Sequence, residues 1–302
     1  MKSILKDRSF RFSIILTLTF LGIGFIFLHV GMTGYGWVFF VLLPIVLGIS
    51  IGVLPSKPMA YLGLIIAVIF LLIGLVSMGL EGLVCVIMIL PIVLPLIFIP
   101  GIIIHLIGRY RAIKKFDNLP VLILPLFVFL IGIPIEKQLT QEKKTLIEVK
   151  SEVTFNYSNI EVYDAIKSVD TLVAKKPFLM KLDLPVPQKC ILEKEEVGGL
   201  RTCYFSGGRI IERITALEKG KLLKMQVIKY ELTGRKWLGF KEAVYLFDSL
   251  SPNCCKMTRI TTYTSELKPR FYWKSLEQTG IRQEHQYVFT NLANDLRKKY
   301  DK

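Results

Sequence analysis

Apolar and polar positions divide this chain at about Ile135. Before that point five long apolar stretches follow one another, approximately Phe12 to Val30, Trp37 to Leu54, Ala60 to Met78, Gly82 to Ile107 and Leu119 to Ile135. Each approaches or exceeds the ~20 residues with which a helix crosses about 30 Å of hydrocarbon. They predict a membrane domain over residues 1–135 with about five transmembrane helices. The fifth stretch is the shortest and carries Pro120, Pro125 and Pro134, so a re-entrant segment is its alternative. The first has a long apolar core and no small-x-small site after it, and is read as a retained helix rather than a cleaved signal.

After a polar linker over residues 136–145, the hydrophobic period changes to two. Ile147, Val149, Ser151, Val153 and Phe155 alternate with polar neighbours as in a half-buried strand. Ser158 with Glu161 forms a capping-box pattern that opens a short helix, and Pro177, Pro185 and Pro187 then predict irregular chain. Six further strands follow, roughly Lys189 to Glu195, Leu200 to Phe205, Arg209 to Leu217, Leu222 to Tyr230, Lys241 to Leu250 and Lys256 to Thr264. Turn signals at Gly198-Gly199, Gly207-Gly208, Lys219-Gly220, Thr233-Gly234 and Ser251-Pro252-Asn253 separate them, which implies an antiparallel meander. Pro269 opens a long helix in which Tyr272, Leu276, Ile281, His285, Val288, Leu292 and Leu296 recur every three to five positions. The layout is α+β, with one amphipathic helix held by a curved sheet.

This order resembles the START-like, Bet v 1-like (SRPBCC) superfamily, with its polyketide cyclase and lipid-transport members, over nearly all of residues 146–302. Leu200-Arg201 through Phe205, Gly207-Gly208, Ile211-Glu212-Arg213-Ile214, Thr262-Tyr263, and Pro269 with Tyr272-Trp273 and His285 carry the resemblance. It implies a helix-grip fold with an apolar cavity between sheet and terminal helix, used by relatives to hold lipids, sterols, polyketides or other hydrophobic molecules. It touches none of the membrane half, and fold alone does not assign an activity.

The formal net charge of +15 divides into +6 up to Ile135 and +9 beyond it. Neither half has a block of five like charges, which argues against a nucleic-acid arm and toward anionic lipid as the partner of the excess charge. Lys2, Lys6, Arg8 and Arg11, then Lys57, then Arg109, Arg111, Lys114 and Lys115 alternate with the nearly uncharged segments Gly31 to Gly36 and Gly79 to Gly82. By the positive-inside rule the N-terminus is cytoplasmic, and five spans deliver the C-terminal domain to the outer side of what is expected to be a bacterial cytoplasmic membrane. The ten-residue linker reaches at most ~35 Å, so the domain stays near the headgroups.

Alternation places Arg201, Cys203 and Phe205 on one face of a strand, Ile210, Glu212 and Ile214 on one face of the next, and Met257, Arg259, Thr261 and Tyr263 together on the last. If Phe205, Ile210 and Ile214 point inward, so do Arg201 and Glu212, while His285 lies on the helix's apolar stripe. Buried charges are costly unless paired, so Arg201, Glu212 and His285 are expected to form one hydrogen-bonded set, with Tyr263 a further member. Such a set can fix helix against sheet, orient the polar head of a ligand, or use His285 and Glu212 as acid and base. Tyr272 and Trp273 either close the pocket mouth or pack in the core.

The ligand-binding candidates are therefore Arg201, Phe205, Glu212, Tyr263, Tyr272, Trp273 and His285, with His285 and Glu212 also the catalytic candidates of the alternative, a cyclase- or hydratase-like enzyme. A third reading is a ligand-free sensory or interaction domain. No nucleophile elbow, phosphate-binding glycine loop or zinc-binding helix motif is present, and neither metal nor cofactor is expected. Cys190, Cys203, Cys254 and Cys255 lack metal spacing. Cys190 and Cys203 flank the Gly198-Gly199 hairpin and can pair in an oxidising compartment, although spacing does not fix that geometry. In the membrane half, Gly48 and Gly52 form a GxxxG pair suited to close helix approach, and no pair of intramembrane carboxylates suggests a transporter.

Overall fold

A computed structural model describes residues 2–110, 124–139, 145–232 and 237–300. Two compact units emerge. The first comprises Met1–Glu81, Cys85–Lys143 and Glu266–Trp273, and the second Gly82–Val84, Lys144–Ser265 and Lys274–Lys302.

The first unit starts with a short helix α1 (Lys2–Lys6) and continues into α2 (Arg8–His29). Asp7 caps α2 by accepting from the Phe10 amide at 2.9 Å, which satisfies one of the orphan donors of the first turn. Next come α3 (Val38–Val53), whose first turn is a π-turn over Val38–Leu42, then α4 (Lys57–Ser77) and α5 (Leu83–Tyr110). Residues 124–139 are helical, with a π-turn at Val128–Gly132 leading into α6 (Ile133–Leu139).

Three helices among the described residues are long and apolar enough to cross a membrane: Arg8–His29, Lys57–Ser77 and Leu83–Ile107. Val38–Val53 is apolar but shorter. Of the fifth expected span, residues 119–123 lie outside the described residues, as do Arg111, Lys114 and Lys115 of the third basic cluster. Residues 136–139, expected to open the linker, continue α6; residues 140–144 of that linker also lie outside the description. Pro91, Pro95 and Pro100 all sit inside α5 without ending it.

Close backbone approach organises this unit. A Cβ added at Gly48 would stand 2.1 Å from the Ile97 carbonyl oxygen, and one at Gly52 2.7 Å from that of Gly101, so the GxxxG face of α3 lies directly on α5. Ser13 donates from Oγ to the Ala60 carbonyl at 2.7 Å, a polar link between α2 and α4. The Glu136 carboxylate accepts from the Trp37 and Val38 amides at 2.6 and 3.2 Å, which places a negative charge at the positive end of α3.

The second unit is a seven-stranded antiparallel sheet in the order β1-β7-β6-β5-β4-β3-β2, holding one long helix. The strands are β1 (Ile147–Phe155), β2 (Pro187–Leu192), β3 (Leu200–Phe205), β4 (Gly208–Glu218), β5 (Leu222–Leu232), β6 (Leu238–Ser251) and β7 (Cys254–Ser265). Between β1 and β2 lie α7 (Asn159–Lys167) and one short turn of helix, α8 (Phe178–Lys181); α9 (Arg270–Tyr300) ends the chain. This is the helix-grip fold that the resemblance implied. The expected meander is present, and β1 adds to it by pairing with β7, Ile147 opposite Tyr263 through to Phe155 opposite Cys255. The turn at Thr233-Gly234 lies outside the described residues.

Local chemistry accounts for the helices. Ser158 and Glu161 make both halves of the capping box of α7. The helix α8 was not legible, because Pro177, Pro185 and Pro187 read as irregular chain. Its Leu179 amide donates to Gln283 Oε1 at 2.9 Å, and Met180 is buried in the core. That core joins α7, the inner sheet face and the C-terminal half of α9: Val162, Tyr163, Ile166, Ile214, Leu223, Met225, Phe247, Met257, Val288, Leu292 and Leu296 are all buried in it. The Cys190–Cys203 disulfide joins opposed residues of β2 and β3. Cys254 and Cys255 carry free thiols, and burial pushes the pKa of the second up to about 11.

A leucine at Gly48 must force α3 from α5. We expect Gly48→Leu to lower the thermal midpoint of the detergent-purified chain well below that of Gly34→Leu, whose position is open space. Equal midpoints would show that the packing of α3 on α5 does not depend on this close approach.

Candidate functional site

The inward positions of β7 meet α9 with polar groups, one after another. Ser265 Oγ donates to Glu277 Oε1 at 2.6 Å and Tyr263 Oη to Glu277 Oε2 at 3.1 Å. Thr261 Oγ1 lies 2.8 Å from His285 Nε2, and Arg259 holds Glu284 with contacts of 2.9 to 3.2 Å. Ser151 of β1 completes the row, its Oγ 2.8 Å from His285 Nδ1. Alternation along β7 therefore puts Arg259, Thr261 and Tyr263 on one face, as expected, and that face is the inner one.

Arg201 and Glu212 occupy directly opposed positions on β3 and β4 and form a buried ion pair at 3.0 Å. The expected single set with His285 does not form. Arg201 turns instead toward α7, where Nε donates to the Lys167 carbonyl and Nη2 to the Ile166 carbonyl, both at 3.0 Å. Those carbonyls belong to the last turn of α7, where a helix leaves acceptors unsatisfied and favours a cation. His285 stays in the row on β7, where its two ring nitrogens are satisfied by hydroxyls rather than by a carboxylate. Tyr263 joins Glu277, a buried carboxylate on the helix stripe that the apolar pattern had hidden.

Tyr245 of β6 connects the two ion pairs. Its ring centroid is 5.9 Å from the Arg201 guanidinium carbon and 5.4 Å from that of Arg259, within cation–π range of both. Burial pushes the Glu284 carboxyl up, with Arg259 pulling it back. His285 is fully buried and held well below the usual imidazole range, first by loss of hydration and then by the charges of Arg259 and Arg282. It is neutral, so one ring nitrogen donates and the other accepts. With both engaged, neither is available to a substrate in this arrangement. Arg259 Nε is one of several buried polar atoms for which no hydrogen-bond partner is seen among the described residues.

Of the remaining candidates, Phe205 is half-buried at the end of β3. Tyr272 and Trp273 belong to the first unit, where Tyr272 Oη donates to the Met88 carbonyl, Trp273 Nε1 to the Lys268 carbonyl at 3.1 Å, and the Trp273 ring lies 5.3 Å from that of Phe40. That unit also holds a cavity of about 550 Å³, bounded by apolar side chains such as Leu42, Phe127 and Ile131 together with Glu136 and Lys268.

Removing Glu212 leaves the Arg201 charge buried without its counter-ion. Glu212→Ala is expected to cost roughly 3 to 5 kcal/mol in denaturant unfolding of a 145–302 fragment, against ~0.5 kcal/mol or less for Glu196→Ala in the exposed pair with Lys194. Similar small costs would place Glu212 in solvent.

Because the folded state refuses a proton at His285 that the unfolded chain accepts near pH 6.5, this group's contribution is intact above that pH and is lost as pH falls below it. Stability of the fragment should drop by up to ~1.4 kcal/mol per pH unit more steeply than that of His285→Gln between pH 6.5 and 5. Parallel profiles would mean that His285 titrates normally.

No family model matches the chain, and no curated protein matches it. Solved structures do, over the C-terminal half. An aromatase/cyclase from Streptomyces sp. R1128 is 11% identical, with 51% of this chain and 96% of that one covered and a TM-score of 0.38. A point mutant of norcoclaurine synthase from Thalictrum flavum is 16% identical, with coverages of 53% and 99% and a TM-score of 0.36. A protein of Thermus thermophilus is 12% identical, with coverages of 51% and 99% and a TM-score of 0.37.

Proposed function

We propose that residues 146–302 hold a lipid or another hydrophobic small molecule between the sheet and α9, and that residues 1–135 anchor this domain to a membrane. Arg259 carries the reading. Its terminal nitrogens are spent on Glu284, while Nε remains a buried donor without a partner, beside an apolar core. A molecule with a long apolar body and one oxygen acceptor at its head suits that combination. The enzymatic alternative, with His285 and Glu212 as acid and base, requires both to leave their present partners first.

We further propose that the N-terminus is cytoplasmic and the domain extracytoplasmic. The distribution of basic residues supports this through the positive-inside rule. So does the Cys190–Cys203 disulfide, a bond that persists in oxidising compartments.

Arg259→Lys keeps the charge for Glu284 and deletes Nε. Titrated with 11-(dansylamino)undecanoic acid, the fragment should bind the probe, and the variant should bind it about tenfold more weakly, the worth of one charge-assisted hydrogen bond of roughly 1.5 kcal/mol. Absence of binding by the unsubstituted fragment, together with no lipid co-purifying with the full chain, would sink the carrier reading.

Topology has its own test. With Cys85, Cys254 and Cys255 replaced by serine, a cysteine introduced in place of exposed Lys150 should react with an impermeant maleimide in intact cells. Reaction only after permeabilisation would return the domain to the cytoplasm.

A further inference from the structure

Between α7 and β2 the chain forms a strap over α9 whose backbone is fixed and whose exposed side chains are of two kinds. Buried Asn291 of α9 accepts from the Val173 and Ala174 amides at 2.7 and 2.8 Å through Oδ1, and Tyr287 Oη donates to the Leu172 carbonyl at 2.9 Å. Gln283 takes the Leu179 amide at the other end. Leu172 and Met180 are buried in the core, so the strap is pinned on both sides. Its outward side chains cannot fold in. Val173 is 73% exposed and Phe178 67%.

Lys175, Lys176 and Lys181 surround these two apolar residues. From residue 171 to residue 182 there is no acidic residue, and none of the three lysines has an ion pair among the described residues. Some other cations of the domain are neutralised locally. Lys150 and Lys256 share Glu152 and hold its pKa at about 2, Arg209 and Lys229 share Glu231, and Lys224 pairs with Glu242. The strap combines unpaired positive charge with a rigidly presented aromatic ring.

We propose that the strap Val173–Lys181 is a docking surface for an anionic bilayer, with Phe178 and Val173 entering the boundary between headgroups and acyl chains and the three lysines resting on lipid phosphates. Apolar side chains among unpaired lysines are what an interfacial segment requires, whereas a nucleic acid can stack a base on Phe178 but offers no apolar layer for Val173. The occupant is also at hand: among the described residues the chain carries three helices long and apolar enough to span a bilayer, and with residues 136–139 in α6 the connection over residues 140–145 reaches at most ~20 Å. The inference is independent of whether the interior holds a ligand.

The test uses the full chain reconstituted in phosphatidylcholine vesicles with and without phosphatidylglycerol, the acyl chains brominated to quench tryptophan. Phe178→Trp adds a reporter, read as the difference from the unsubstituted protein with its three native tryptophans. Val173→Trp is a second reporter on the strap, and exposed Val197→Trp reports from the Gly198 hairpin. The two strap reporters should be quenched, most strongly with phosphatidylglycerol, while the hairpin reporter is not. Replacing Lys175, Lys176 and Lys181 by glutamine, one at a time, should lower the equilibrium constant for strap docking by about fivefold each. Strap reporters quenched no more than the hairpin reporter would overturn the proposal and leave a protein partner as the strap's occupant. Quenching that ignores both lipid charge and the lysines would overturn the anionic recognition.

Discussion

The terminal helix cannot be buried as a purely apolar rod, because Glu277, Glu284 and His285 lie on or beside the stripe it turns toward the sheet. Each buried polar group must meet a partner or forfeit its hydration. The sheet meets this requirement along one strand: as β7 runs back from Ser265 to Arg259, the helix partners run forward from Glu277 to Glu284 and His285. A slip of the helix by one turn, ~5.4 Å, would leave all three against the wrong neighbours. The apolar half, with Val288, Leu292 and Leu296, supplies burial but tolerates such a slip more readily. The polar half therefore sets the register of α9, and with it the side chains, such as Asn291 and Gln283, that hold the strap over it.

Arg201 solves a second problem of the same kind. The helix α7 ends with its last carbonyls directed into the domain, without a glycine to close them, and no water is required there because a guanidinium from β3 takes two of them while pairing with Glu212. One side chain thus ties three elements together. Its position opposite Glu212 follows from the β3–β4 register alone.

Why the strands were legible and the polar partners were not has a physical explanation. Period-two alternation, the Ser158–Glu161 box, the hairpin glycines and the Gly48–Gly52 pair are local signals, and each corresponds to a feature of the structure. That Met257, Arg259, Thr261 and Tyr263 share one face of β7 was likewise readable, but not that this face is the inner one. The pairing of Ser151 with His285 joins residues 134 positions apart, and nothing local encodes which hydroxyl faces which ring. Reading Arg201, Glu212 and His285 as one set assumed that charges seek charges. The structure instead satisfies a neutral imidazole with hydroxyls, which spares it the desolvation of a third ion. Glu277 escaped notice because a carboxylate on a helix stripe reads as solvated surface until its two hydroxyl partners are seen.

The two arginine–glutamate pairs differ in depth, and on the proposed function that difference separates structure from site. Arg201 and Glu212 leave 3% and 9% of their side chains exposed, whereas Arg259 and Glu284 leave 11% and 17%. Three donors of Arg201 are used, one on the carboxylate and two on carbonyls of α7, so displacing it would unmake a helix end. Arg259 spends its terminal nitrogens on one carboxylate and keeps Nε in reserve. Tyr245 lies against both guanidiniums. On the proposed function, a polar head that reached Arg259 would meet a guanidinium already oriented by Glu284 and by the Tyr245 ring, which is the arrangement a preorganised binding site demands.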